Sequence, residues 1–350
     1  MLKKKWIKIL LIIIATIILI VGIIAGIYII DKYLNRRQNV IVDKKHPYSL
    51  YIRENTDFDT IMNVLINDSV FAHPDKFKKY AIKKNYPANI HKGHYVLENG
   101  MSNERVLTIL SLALQTPVNV VINPARDAYT IASRVGKQLE ADSAALIAKY
   151  FDTAFIKSLG YDTTNAYCLI IPNTYEFYWT TDASQFWERM RTESDKFWKK
   201  REQKFDDVKL TKEEVVTLAS IVERETQKND EKKLIAGVYM NRLQKRMRLE
   251  ADPTLVYIAN QENIRRVLNR HKNIDSPYNT YKYAGLPPGP IWIPSVASID
   301  AVLDYEDHEY LFFCAKDDFS GCHAFAKSYA QHKVNAKKFQ KALNDRQIYK

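Results

Sequence analysis

The run Val215-Val216-Thr217-Leu218-Ala219-Ser220-Ile221-Val222-Glu223-Arg224-Glu225 decides how this chain is read. A helix that is apolar on nearly every side is buried rather than laid on a surface. A carboxyl at its end is therefore poorly hydrated. Desolvation raises its pKa, and a helix C-terminus, where the macrodipole is negative, raises it further. A carboxylic acid still protonated near neutrality is what a general acid requires. The two glutamates point about 200° apart on a helix, two steps of roughly 100° each, so they cannot act as one acid/base pair. Glu223 shares a stripe with Val216, Ala219 and Ser220, mostly small side chains that leave space for a ligand. Glu225 shares one with the bulkier Leu218, Ile221 and Val222. Glu223 is therefore the expected acid. The plain structural alternative is that both glutamates pair with Arg224 or Lys228 at a helix end.

On the N-terminal side the chain announces a membrane. Trp6 to Ile30 is an apolar stretch of 25 residues whose single charge is Lys8. At about 1.5 Å per residue it spans a hydrocarbon core of roughly 30 Å. Lys3, Lys4, Lys5 and Lys8 precede or open it, which keeps the short N-terminus cytoplasmic and sends the rest across the cell (inner) membrane. A cleaved signal peptide is the competing reading. Its apolar region is shorter, and a small-residue cleavage site follows it; Ile27-Tyr28-Ile29-Ile30 offers neither.

The 350 residues are 46% apolar and 26% charged, a globular composition. The net charge of +12 (52 basic against 40 acidic residues) suits membrane headgroups, nucleic acid or an acidic polymer. No zinc-finger spacing, RNA-binding aromatic signature or arginine-rich arm singles out nucleic acid, which is not expected as a partner. The three cysteines, Cys168, Cys314 and Cys322, match no metal spacing. Cys314 and Cys322 could meet across a hairpin, but ordinary thiols are the simpler reading. His91 and His94 sit three apart without an acidic or thiol neighbour and read as loop histidines. No metal and no cofactor is expected.

The organisation follows from punctuation and periodicity. Residues 1–5 read as a cytoplasmic tail, 6–30 as the anchor, 31–45 as a polar linker, 46–116 as a small module and 117–350 as the larger region. In the module, strands are expected near Tyr48–Ile52 and Gly93–Val96, with helices near 57–65, 74–84 and 103–114. Ser102 should cap the last of these, without a full capping box because Arg105 stands at the third position. In the larger region, Leu169–Phe177 reads as a strand feeding a turn at Pro172-Asn173. Phe186–Lys204 reads as an amphipathic basic helix, and 230–246 as a helix after the buried one. Five prolines between 276 and 294 enforce a loop. Glu309–Ala315 and Cys322–Phe325 read as a hairpin, and 329–343 as a final helix. Helices and antiparallel strands mix without a βαβ rhythm, so the fold class is α+β.

Other chemistries find little support. The chain has no G-x-S-x-G elbow, no H-E-x-x-H and no P-loop. In Gly285-Leu286-Pro287-Pro288-Gly289-Pro290 the prolines remove the backbone donors that a phosphate would need. Tyr278, Asn279, Tyr281, Tyr283 and Trp292, with Tyr175 and Trp179, supply flat apolar faces with polar tips, as sugar sites do. A glycosidase ordinarily uses two carboxylates, and Asp252, in Leu249-Glu250-Ala251-Asp252-Pro253-Thr254, is the candidate second; an Asp before Pro also caps turns.

Leu218-Ala219-Ser220-Ile221-Val222-Glu223-Arg224-Glu225-Thr226 resembles the signature helix of the endolytic murein transglycosylases, the YceG-like family. Val238-Tyr239-Met240-Asn241-Arg242-Leu243, Met247 to Thr254, Ser276 to Tyr281, Gly285 to Ile291 and Gly321-Cys322-His323-Ala324-Phe325 continue the resemblance in order. It covers nearly the whole chain. Two segments depart: Pro172-Asn173-Thr174-Tyr175 has Asn where the family has Asp, and Gln331-His332-Lys333 replaces Glu-His-Asn. The resemblance implies a LysM-like module over 46–116 and a catalytic region beyond it. It implies lytic cleavage of peptidoglycan between N-acetylmuramic acid and N-acetylglucosamine in nascent strands, which ends their elongation. Glu223 would protonate the glycosidic oxygen, then take the proton of the muramic C6 hydroxyl as a 1,6-anhydro ring closes. The nucleophile belongs to the substrate, so one carboxyl suffices. Asn241, Asp252, Asn279 and Tyr281 would orient the glycan. Penicillin-binding synthases are the implied partners. A hydrolytic muramidase and a non-catalytic wall-binding scaffold stay open as alternatives.

Overall fold

A computed structural model describes residues 2–259 and 268–346, with side chains from Leu11 onward. The chain divides into two compact units, Met1–Val118 with Phe177–Thr180, and Asn119–Glu176 with Thr181–Lys350.

In the first unit, helix α1 spans Leu2–Asn35. From Leu11 to Asn35 it is long and apolar enough to cross a membrane. From Leu11 onward its isoleucines and leucines face outward. The helix runs past the apolar stretch to Asn35, into the segment expected to be a linker. Two buried amides explain the difference: Asn39 Nδ2 donates to Asn103 Oδ1 at 2.7 Å, and Asn103 Nδ2 donates to Asn35 Oδ1 at 3.1 Å. The N–H groups of Asn39 and Val40 also bond Met101 O, so this stretch is fastened to the module.

The module pairs β1 (Tyr48–Ile52) with β2 (Gly93–Leu97) antiparallel, from Tyr48 opposite Leu97 to Ile52 opposite Gly93. Between them lie α2 (Phe58–Asn67) and α3 (Pro74–Lys83), and after them α4 (Asn103–Ser111). Asp57 caps α2, and Ser102 caps α4 by accepting from the Arg105 N–H at 3.2 Å. The core gathers Ile52, Leu65, Phe77, Tyr95 and Leu110. His94 is structural: its Nδ1 lies 2.9 Å from Thr116 O, and its ring stacks on Tyr51.

Strand β3 (Val118–Val121) pairs with β4 (Thr174–Phe177). The strand expected from Leu169 starts only at Thr174. Ala166–Leu169 is a 3₁₀ turn, and Pro172 has no N–H to give a ladder. Helices α5 (Ala128–Val135), α6 (Ser143–Phe151) and α7 (Thr153–Ser158) lie between these strands. The expected basic helix is α8 (Ala183–Lys199), opened by an Asp182–Gln185 capping box and ending five residues before Lys204, where the short α9 (Lys204–Val208) begins.

The decisive run forms α10 (Lys212–Glu225), buried continuously from Val215 to Val222. It packs against α11 (Lys232–Gln244), α12 (Asp252–Ile258) and α14 (Val296–Leu303). A short α13 covers Asn269–Lys272. The chain ends with β5 (Phe312–Ala315), β6 (His323–Ala326) and α15 (Tyr329–Asp345). Strands β5 and β6 pair antiparallel, with Cys314 opposite Ala324 and Ala315 opposite His323. All three cysteines are free. Helices mixed with small antiparallel pairings give the coarse α+β architecture that the pattern predicted.

Candidate active site

Helix α10 starts at a capping box. Thr211 Oγ1 accepts from the Glu214 N–H, and Glu214 Oε2 accepts from the Thr211 N–H. With the start fixed and the middle buried, the two glutamates leave the C-terminal turn on different sides, as the helical period demands.

Glu223 is tied into the scaffold. Its Oε2 accepts from Ser295 Oγ and Ser298 Oγ, both at 2.5 Å, and from the Ser295 N–H and Lys232 Nζ, both at 3.2 Å. Ser295 caps α14, so the carboxylate sits at the positive end of that helix. Burial works to raise its pKa, but the two hydroxyls and the Lys232 ammonium outweigh burial and hold the carboxyl below its ordinary range. This overturns the raised pKa expected for Glu223. The space inferred beside its small-residue stripe is also filled. Ala219 and Ser220 are fully buried where α14 packs on α10, and Ser220 Oγ accepts from the Ile291 N–H at 3.0 Å. Small residues here admit a helix, not a ligand.

Glu225 has the character expected of its neighbour. It lines a cleft of about 390 Å³ together with Tyr239, Asp252 and Tyr281; Glu223 is not among the lining residues. Phe312, Phe313, His323, Tyr329 and His332 form the aromatic wall. Arg242 and Glu250 also line it, so charged groups and aromatic faces meet in a cleft within the size range of small-ligand sites. Burial pushes the Glu225 carboxyl up and the nearby Asp252 charge adds to that. The Tyr239 hydroxyl, donating to Oε1 at 2.6 Å, and the Arg242 guanidinium pull the other way, and the result is about 7. The same burial raises Tyr239 well above the usual phenol.

The other expected residues separate into two groups. Asp252 and Tyr281 share the cleft, joined by the Tyr281 hydroxyl donating to Asp252 Oδ1 at 2.6 Å. A buried threonine pair brings them together: Thr254 and Thr280 hydroxyls lie 2.9 Å apart, and Thr280 Oγ1 accepts from the Ala251 N–H. Asn241 and Asn279 lie outside the cleft lining. Asn279 is wholly buried; it donates to Lys272 O and Ile274 O and accepts from the Tyr281 N–H, shaping the loop that presents Tyr281. Asn241 donates to His308 O at 2.6 Å and Tyr310 O at 3.0 Å, holding the strap that leads into β5. Of the remaining aromatic cluster, Trp292 stacks on the Arg224 guanidinium, and the Tyr175 hydroxyl is spent on Ile171 O.

The periodicity argument missed three features of the site. Tyr239 and Arg242 sit on one face of α11, where their i, i+3 spacing is legible but their target is not. Arg242 donates to Leu249 O and to Leu311 O, clamping two walls of the cleft. His323 reaches the cleft with its ring Nδ1 2.9 Å from Glu231 Oε2. Only the Gly-Cys-His-Ala-Phe motif marked it.

Against known proteins, residues 50–338 match the model of the YceG-like family. A Bacillus subtilis protein named endolytic murein transglycosylase is 26% identical over 340 residues, 93% of this chain and 93% of the relative. One of the same name from Streptococcus pneumoniae is 29% identical, covering 88% of this chain and 60% of its own length. A 2.6 Å crystal structure of a yceG-like protein from Listeria monocytogenes superposes with a TM-score of 0.52 at 27% identity, over 83% of this chain and 99% of that one. The chain belongs to the YceG-like family.

Proposed function

We propose that this protein is a peptidoglycan lytic transglycosylase in which Glu225, not Glu223, is the acid. The observation that carries the reading is a carboxyl raised to about 7 at the wall of an aromatic cleft. It is protonated for part of the time at neutrality and close to the range in which general acids work best. Relatives bearing the name endolytic murein transglycosylase support the reaction class.

In this reading the glycan lies along the aromatic wall. Glu225 gives its proton to the oxygen between N-acetylmuramic acid and N-acetylglucosamine. The muramic C6 hydroxyl bonds to C1 as the old bond breaks, and the Glu225 carboxylate is then available for the hydroxyl proton. The Tyr239 hydroxyl steadies the carboxyl in both states. Asp252 and Tyr281 contact the sugar, and Asn241 and Asn279 hold the walls.

Helix α1 anchors the chain with its N-terminus cytoplasmic and places the site on the outer side, near newly made strands. Its charge pattern supports that orientation. The first unit is a LysM-like glycan-holding module, and penicillin-binding synthases are the partners that supply the strands; both rest on the family resemblance.

Asp252 in the same cleft supports a second reading, a muramidase in which water attacks. Digesting purified sacculi and weighing the products decides. The lyase leaves 1,6-anhydro ends, lighter by one water; reducing ends in their place would establish the muramidase.

A further inference from the structure

We propose that His323 is the base of this site, held in its proton-accepting tautomer by Glu231. This rests on the lyase reading above and divides between two residues the roles assigned to Glu225.

Glu231 precedes α11 and is almost fully enclosed, with 9% of its side chain exposed. Both its oxygens are spent on one residue. Oε1 accepts from the His323 N–H at 2.8 Å, and Oε2 faces His323 Nδ1 at 2.9 Å. A carboxylate only accepts, so Nδ1 carries a proton, and in the neutral ring Nε2 keeps its lone pair. Among the described residues, no group bonds Nε2. Nδ1 is turned to Glu231, which does not line the cleft, whereas His323 does. The ring is held edge-on by Phe313, with centroids 5.3 Å apart. Phe313 is also edge-on to Tyr239 at 5.9 Å, and Tyr239 donates to Glu225. The tyrosine that bonds the acid and the histidine thus flank one phenyl ring on the wall of one cleft.

The step balances. The Glu225 proton goes to the departing glycosidic oxygen as its bond to C1 breaks. O6 bonds to C1, and the O6 proton goes to His323 Nε2. The imidazolium that forms faces the Glu231 carboxylate. The site ends with a Glu225 carboxylate and a protonated His323, and solvent returns the proton from one to the other.

Glu231→Gln tests this in the full-length protein. The backbone N–H of His323 requires the amide oxygen on its side. That turns the amide NH₂ toward Nδ1, which must then accept, and moves the ring proton to Nε2, where it blocks the base. The expected result is a loss in kcat on the order of 10²-fold, with KM and the unfolding transition unchanged. His323→Ala should lose as much and regain part of it when imidazole is added, which a packing role would not allow. Wild-type kcat in Glu231→Gln, or a His323→Ala enzyme deaf to imidazole, overturns the proposal. Should Glu225→Gln be inactive while both variants stay fully active, only the base assignment falls. Should Glu225→Gln stay active, the lyase reading itself falls.

Discussion

Replacing Glu223 by Gln keeps the shape of the side chain and removes its charge. Lys232, whose side chain is 5% exposed, would then be buried without a counter-charge. Breaking such a pair costs about 3–5 kcal/mol, so Glu223→Gln should melt well below wild type. The pH dependence has a definite sign. The folded pKa is depressed, so the stabilisation is fully present above the unfolded value of about 4.3 and is lost as pH falls through the folded one. Denaturant unfolding of wild type and Glu223→Gln should therefore give curves that converge in acid; a gap independent of pH would contradict the ion-pair account. Glu225 runs the other way. Its folded pKa is raised to about 7, so its carboxyl costs nothing below the unfolded value and penalises the fold as pH rises toward 7 and beyond. Glu225→Gln should then be neutral or stabilising in alkali. The kcat/KM of wild type should fall as pH rises through about 7; a profile flat from 6 to 9 would exclude Glu225 as the acid.

Helix α11 supplies a test of packing. Glycine inside a helix ordinarily costs about 1 kcal/mol against alanine, so Gly→Ala there is usually stabilising. At Gly237 an added Cβ would stand 2.4 Å from Glu306 O and 2.7 Å from His308 Nε2. Backbone cannot yield cheaply, and overpacking costs about 1–3 kcal/mol. Gly237→Ala should thus destabilise, read as a lower midpoint in urea; a higher midpoint would mean that the 306–308 strap is loosely held. Elements with local punctuation were legible. Ser102 before α4 and the apolar run of α10 are examples. Helices α12 and α14 were not. Asp252-Pro253 reads equally as a turn and as a helix start, since Pro is favoured in the first helical turn; the structure takes the second. The eight-residue α14 follows a proline-rich loop, too short to show a convincing period. Missing α14 had a consequence at the site. Its serines lie about 70 residues from Glu223 in sequence, and no local signal says that they hold it as a carboxylate. Burial does raise one of the two helix-end carboxyls, Glu225, but telling it from Glu223 needed contacts from distant segments.

At the scale of the molecule, α1 makes the chain a membrane protein in this account. The intact protein should stay with membranes through alkaline carbonate extraction. A chain lacking residues 1–30 should leave with the soluble fraction and still cut sacculi, since every residue assigned to the cleft lies beyond Asn119. Retention of the shortened chain on membranes would point to a second attachment. The account stands or falls on which glutamate gives the proton. Mass spectrometry of sacculus digests by wild type, Glu225→Gln and Glu223→Gln, each normalised to folded protein, answers that most directly. The prediction is 1,6-anhydro products from wild type and from folded Glu223→Gln, and a loss on the order of 10² or more in Glu225→Gln. Anhydro products persisting in Glu225→Gln and vanishing in folded Glu223→Gln would contradict it.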